Sequence, residues 1–337
     1  MGDILLQFTN EELKRKINEL KQKLDVTVVA HFYQRDEVFE IGDITGDSLE
    51  LAIKTRDDDA EFVLFCGVGF MGQSVKVLSP HKRVVMPKPA ACSMASMISS
   101  TQFDEAIKIL NASGITNENI LPITYINSDV EVKAKVGEMG GLVCTSANAR
   151  KIIETALEEG KKILFVPDRC LGQNIANDMG LKSCVIGDGR DVKEADIICY
   201  DGFCSVHQLF TLEDIEFYRK KYKDIIIAVH PECDPEICKA SDFVGSTSQL
   251  IKYIESLPPE QKVAVGTEFN MVNRLRPNNT YILSSTKPEC PTMNETTLMD
   301  VYLTLKAIDD GAPINEIFVD EKTQKWAKVA LERMMAL

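Results

Sequence analysis

Three times the chain runs a short apolar strand into a loop that ends in cysteine. Residues 83–87 lead to Cys92, residues 196–200 to Cys204, and residues 280–284 to Cys290. Each cysteine falls just past the carboxyl end of a strand, where open α/β sheets place their ligands. Proline or glycine stands in each loop (Pro87 and Pro89, Gly202, Pro288 and Pro291), so the loops read as stiff turns rather than continued strands. Upstream, the order of elements also repeats. His31, Tyr125 and His230 each end a strand; Ser48, Ser146 and Thr247 each open a helix; Phe65, Phe165 and Val265 sit on the next strand. A repeat of roughly a hundred residues is long enough for a small domain. The expected class is therefore α/β with parallel sheets, in three pseudo-symmetric units, against the alternative that generic βα units align by chance. The boundaries fall at 1–92, 93–204 and 205–290. Two helical stretches, 296–308 and 321–335, are expected to return to the first domain, so that 291–337 completes it.

Local signals agree. Thr9 and Glu12 form a capping-box pair ahead of Leu13, Ile17, Leu20 and Leu24 at helical spacing. Residues 26–30 are a β-branched run suited to a buried parallel strand. Gly67, Gly69 and Gly72 match a G-x-G-x-x-G pattern after a strand, but 87–89 is Pro-Lys-Pro where a dinucleotide fold places an acidic residue. That reading is set aside, and the glycines are expected to serve tight turning or close approach.

Composition narrows the function. A net charge of −13 argues against a nucleic-acid surface, which needs clustered Lys and Arg. No apolar run approaches the roughly 20 residues of a membrane span, and residues 1–9 lack the basic and apolar blocks of a secretory leader. A cytoplasmic location is expected, where thiols stay reduced. The ten cysteines then divide between packing, metal binding and reactivity. Cys66, Cys144, Cys184 and Cys199 lie in or beside apolar runs and read as core.

No C-x-x-C occurs, which removes zinc ribbons and thioredoxin-type motifs. The three loop cysteines are read as holding an iron–sulfur cluster with one iron open for chemistry. Spacing alone leaves competitors: Cys170 also stands near a strand end, Cys233 and Cys238 share the spacing of Cys199 and Cys204, and three metal-free loop cysteines remain the plain alternative. Ser48, Ser146 and Thr247 at helix openings suit carboxylates or phosphate, against the alternative that they are ordinary N-caps. The acid–base candidates are His31, Tyr33, His207, His230 and Glu232; His81 reads as a surface turn.

These residues lie in stretches that resemble the quinolinate synthase family: AHFYQ at 30–34, GDSL at 46–49, GVGFM at 67–71, TYINS at 124–128, CTSANA at 144–149, GFCSVH at 202–207, HPE at 230–232, GSTSQ at 245–249 and CPTMN at 290–294. The resemblance implies three pseudo-symmetric three-layer αβα domains around one 4Fe–4S cluster, ligated by Cys92, Cys204 and Cys290. It also implies condensation of iminoaspartate with dihydroxyacetone phosphate to quinolinate, phosphate and water, a step of NAD biosynthesis. A functional link to an L-aspartate oxidase as the iminoaspartate source follows from it. Substrate contacts carry over to His31, Ser48, Tyr125, Asn127, Ser146, His230, Glu232 and Thr247, with Tyr33, Glu232 and His31 moving protons. Two rivals from other classes are a non-catalytic iron–sulfur sensor and a metal-free sugar-phosphate enzyme.

Overall fold

The computed structural model describes residues 8–158, 160–275 and 279–337. Residues 1–7, most of the stretch read for a leader, lie outside the described residues. In chain order the first segment runs α1 (Asn10–Leu24), β1 (Val26–His31), α2 (Asp36–Phe39), β2 (Ile44–Gly46), α3 (Ser48–Arg56), β3 (Phe62–Cys66), α4 (Gly69–Leu78) and β4 (Arg83–Val85). The second runs α5 (Ser100–Ala112), β5 (Ile120–Tyr125), α6 (Val130–Glu138), β6 (Leu142–Cys144), α7 (Ala149–Glu158), β7 (Lys162–Val166), α8 (Arg169–Met179), β8 (Ser183–Val185) and β9 (Ile197–Cys199). The third runs α9 (Leu212–Lys221), β10 (Ile226–Val229), α10 (Pro235–Ala240), β11 (Phe243–Val244), α11 (Thr247–Ser256), β12 (Val263–Gly266), α12 (Phe269–Arg274) and β13 (Thr280–Ile282). Helices α13 (Leu298–Asp309) and α14 (Glu321–Met335) follow.

The strands form three all-parallel sheets, ordered β2-β1-β3-β4, β6-β5-β7-β9-β8 and β11-β10-β12-β13. In each, the first strand of the segment sits between the second and third. Val29 pairs with Ile44 and Phe65, Ile123 with Leu142 and Phe165, and Ala228 with Phe243 and Val265. β8 is an extra edge strand of the second sheet. The central strands are buried on both faces, which is why they read as continuous apolar runs rather than alternating ones.

The repeat extends to side chains. Asp43 brackets Val28, its carboxylate accepting the Val28 N–H at 2.9 Å and its own N–H donating back at 2.7 Å. Asp242 brackets Ile227 in the same way at 2.7 and 2.8 Å. The corresponding place on β5 is Pro122, which has no N–H to offer.

Two compact units emerge. Among the described residues, the first holds 8–91 together with 290–319, and the second holds those of 92–289 with 320–337. In the first unit α1, β1 and β3 share a core with α13, and the 310–319 segment is fastened by an Arg83–Glu316 fork at 2.9 and 2.5 Å. The glycines of the 67–72 stretch serve close packing. A Cβ on Gly72 would stand 2.4 Å from Ile317, and Gly69 donates its N–H to the Ala90 carbonyl at 2.8 Å.

The last helix departs from expectation. α13 packs on the first sheet's core, but α14 lies against α6 and β6 in the second unit. The physical reason is Gly137. An added Cβ would stand 2.1 Å from the Trp326 carbonyl oxygen, so only glycine admits α14 at this distance. Arg333 then donates to the Gly141 carbonyl at 3.1 Å. Gly137→Ala should therefore lower unfolding stability by about 1–3 kcal/mol through overpacking, read as a lower urea midpoint. An unchanged midpoint would show that α14 contributes little to the second unit.

Candidate active site

The three loop cysteines occupy one repeated setting. In each loop the cysteine carbonyl accepts the N–H of the fourth residue on: Ser96 to Cys92 at 3.2 Å, Gln208 to Cys204 at 3.3 Å, and Asn294 to Cys290 at 3.2 Å. A single 3₁₀ turn follows each, at Ala95–Met97, His207–Leu209 and Met293–Glu295. Seven residues past each cysteine stands the N-cap of the next helix, Ser99, Thr211 or Thr297, each in a complete capping box. The rigid turn on one side and the capped helix on the other fix where the thiol is carried.

Exposure separates these three from the rest. Cys92, Cys204 and Cys290 are half-buried, and the other seven cysteines are buried. Burial pushes the thiols of Cys66, Cys144, Cys170, Cys184, Cys199, Cys233 and Cys238 up, to about 12 for Cys170 and Cys238. Those groups stay protonated and pack as small apolar side chains. The competitor Cys170 lies inside α8, and Cys233 and Cys238 lie in the third segment's core.

The helix-opening hydroxyls are not the caps. Asp47 caps α3 by accepting the Leu49 and Glu50 N–H groups, and Ser246 caps α11 by accepting from Gln249. Ahead of α7, Thr145 takes the Ala147 N–H at 3.3 Å and gives its own to Asn148 at 2.7 Å. Ser48 and Thr247 each follow the capping residue, so the ordinary N-cap explanation does not account for them, and Ser146 lies in the turn that precedes α7.

Within the second unit a buried acid–base group forms around Glu232. Tyr125 donates its hydroxyl to Glu232 Oε1 at 2.5 Å. His207 places Nδ1 2.9 Å from Glu232 Oε2, Nε2 3.0 Å from the Thr267 hydroxyl, and its ring stacked on His230 with centroids 4.7 Å apart. His230 Nδ1 accepts the Glu232 N–H at 3.3 Å. Burial pushes the Glu232 carboxyl up, but the His207 and His230 imidazoles and the Tyr125 hydroxyl outweigh it and hold the group down to about 2. Asn127, half-buried, follows Tyr125 by two residues and makes no hydrogen bond to this group among the described residues.

In the first unit His31 and Tyr33 meet edge to face, with centroids 4.8 Å apart. His31 Nδ1 accepts the Tyr33 N–H at 3.1 Å, the same turn that His230 makes. The next two residues reach the Cys290 loop: Gln34 lies 3.4 Å from the Met293 sulfur, and Arg35 donates to the Asn294 carbonyl at 3.0 and 2.8 Å. In the second unit the Cys92 and Cys204 loops touch, the Phe203 N–H lying 3.4 Å from the Met97 sulfur.

Cysteine thiolates fit a metal cofactor, and one ligating atom from each of Cys204, His207 and Glu232 lies within 4.8 Å of the others. Sequence reasoning placed His207 among the proton carriers without a role, and missed Thr267 and Asp168. Asp168 is fully buried. Its Oδ1 caps α8 and its Oδ2 has no hydrogen-bond partner among the described residues; burial and the Glu232 charge push its carboxyl well up. Burial thus pushes one carboxyl up while the neighbours of the other hold it down. The only signal in the sequence was an aspartate at a helix start.

The family model for quinolinate synthetase A protein matches residues 15–336. A "Quinolinate synthase" of Helicobacter pylori strain HPAG1 is 53% identical over 335 residues, covering 98% of this chain and 99% of its own. One of Streptomyces coelicolor is 39% identical over 355 residues, covering 98% and 89%. One of Bacillus cereus strain ATCC 14579 is 37% identical over 347 residues, covering 97% and 94%.

Proposed function

The chain belongs to the quinolinate synthase family, and from that premise we propose that it condenses iminoaspartate with dihydroxyacetone phosphate to quinolinate, releasing phosphate and water. Three pseudo-equivalent domains, 1–92 with α13, 93–204 and 205–290, would each lend one cysteine. Cys92, Cys204 and Cys290 would hold a 4Fe–4S cluster. When bound, a cluster with three thiolate ligands supplies an open iron as a Lewis acid toward a substrate oxygen or nitrogen. The observation that carries the reading is the repeated setting of these three thiols, the only ones of the ten that are not buried.

The chain's own residues do the rest. Glu232 is ionised at neutral pH and takes a proton; Tyr125, hydrogen-bonded to it, returns one; His207 and Thr267 extend the relay behind them. His31 and Tyr33 move the remaining protons. His230 contacts a substrate carboxylate. Ser48, Ser146 and Thr247, with Asn127, bind carboxylate or phosphate oxygens at helix N-termini, where backbone N–H groups and the dipole favour anions. No described helix is long and apolar enough to cross a membrane, and a cytoplasmic enzyme supplied by an L-aspartate oxidase fits this reading.

Anaerobically purified protein tests it. About four irons with matching sulfide per chain, and quinolinate formed from the two substrates, is the expected result. The rival reading, a single ion held by Cys204, His207 and Glu232, is favoured by how close their ligand atoms lie. It predicts one metal per chain and no sulfide. A metal-free, fully active protein would defeat both.

Ser48→Ala isolates anion binding, because the Asp47 cap is left whole. Losing a hydrogen bond to a charged oxygen costs about 1.5–3 kcal/mol. The expected result is a KM raised roughly 10- to 100-fold with an unchanged melting temperature. An unchanged KM for both substrates would remove Ser48 from the site.

A further inference from the structure

Asn174 sits on α8, five residues into the helix, and is buried. Its amide nitrogen donates to two carbonyls at once, Pro231 and Cys233, each at 2.8 Å. Those carbonyls flank Glu232 on either side. The start of the same helix is tied to the other half of the site. The Arg169 N–H donates to the Gly202 carbonyl at 2.8 Å, the Gly202 N–H donates to the Pro167 carbonyl at 3.0 Å, and the Arg169 guanidinium lies 4.7 Å over the Phe203 ring. Gly202 and Phe203 immediately precede Cys204. One rigid helix thus grips the loop before Cys204 at its first turn and the loop around Glu232 at its second. Both N–H groups of a neutral side-chain amide are spent on main-chain carbonyls, a use that only Asn or Gln offers at this size.

We propose that Asn174 is a positioning residue for Glu232, fixing the carboxylate against Tyr125 and His207 by holding the carbonyls on both sides of it. The inference rests on Glu232 acting in the proposed reaction and adds a residue that does not itself touch substrate. A misplacement of about 1 Å can cost on the order of a hundredfold in rate. Asn174→Ala should therefore lower kcat about 10- to 100-fold, leave KM for dihydroxyacetone phosphate within about threefold, and leave iron content unchanged. In a Glu232→Gln background the same change should slow turnover by less than about twofold, since the carboxylate it positions is gone. An equal loss in both backgrounds would overturn the proposal, as would full kcat in Asn174→Ala. If Asn174→Ala does not fold, Asn174→Ser, whose single short donor cannot bridge two carbonyls, carries the same comparison.

Hydrogen exchange on the metal-free protein reads the positioning without turnover. The Glu232 and Cys233 amides, which close the turn onto His230, should exchange about tenfold faster or more in the variant while β10 stays protected. Equal exchange in variant and parent would defeat the positioning role. A parent that forms no quinolinate would instead defeat the assigned reaction, so the two failures are told apart.

Discussion

Cys92→Ser, Cys204→Ser and Cys290→Ser should each lose both iron and quinolinate formation, whereas Cys170→Ser should keep both. Each of the first three removes a thiolate from a position that the fold repeats, with the same carbonyl hydrogen bond and the same following cap. Serine is nearly the size of cysteine, so the turn survives. Its hard alkoxide, high in pKa, is a poor substitute for a soft thiolate on iron. Iron should fall from about four to below about one per chain, with activity falling to background. Cys170 is 1% exposed and its thiol is held protonated by burial. Serine there exchanges a sulfur for a hydroxyl in α8 and should cost about 1–3 kcal/mol of stability, without touching metal content. Iron analysis with a turnover assay on the four variants decides the matter. Any one of the three loop variants keeping full iron and full rate would end the cluster assignment.

Much of this was legible because it is local. Thr9 with Glu12 announced α1, and the β-branched run at 26–30 announced β1, since both signals depend on neighbours in sequence. The strand ends His31, Tyr125 and His230 were legible because position repeats even where residue identity does not. Edge strands such as β11, two residues long, are too short for any period to show. The docking of α14 escaped because it turns on the missing side chain of Gly137, and a glycine inside a helical pattern looks only like a weak helix former. The acid–base group escaped in part for a different reason. Tyr125 and Glu232 stand 107 residues apart, and nothing in either stretch says that the phenol and the carboxylate share a proton. Asp168 and Asn174 were invisible for the opposite cause, since an aspartate at a helix start and an asparagine within one are ordinary until their partners are seen.

Glu232→Gln should lower kcat about 10²- to 10⁴-fold, the range for loss of a general base, while iron stays at its parent level. The substitution keeps shape and an oxygen that can accept from Tyr125, so the fall reports the lost charge and basicity. Its effect on KM should be smaller, because a proton acceptor acts chiefly in the transition state. The same charge leaves a mark on stability. Burial pushes Glu232 up, yet its imidazole neighbours and Tyr125 hold it at about 2 in the folded protein, below the ordinary 4.5. A carboxylate lowered on folding stabilises the native state above its unfolded pKa, and that contribution fades as pH falls toward the folded value. The shift corresponds to a few kcal/mol. Urea unfolding of the metal-free proteins should therefore show the parent's advantage over Glu232→Gln to be widest near pH 7 and narrowing as pH falls from about 5 toward 3. A gap that does not change with pH would mean that Glu232 is not held ionised by its neighbours. Full kcat in the variant with its iron intact would take Glu232 out of the proton relay altogether, and Tyr125, His207 and Thr267 would then lack the base that gives their alignment a use.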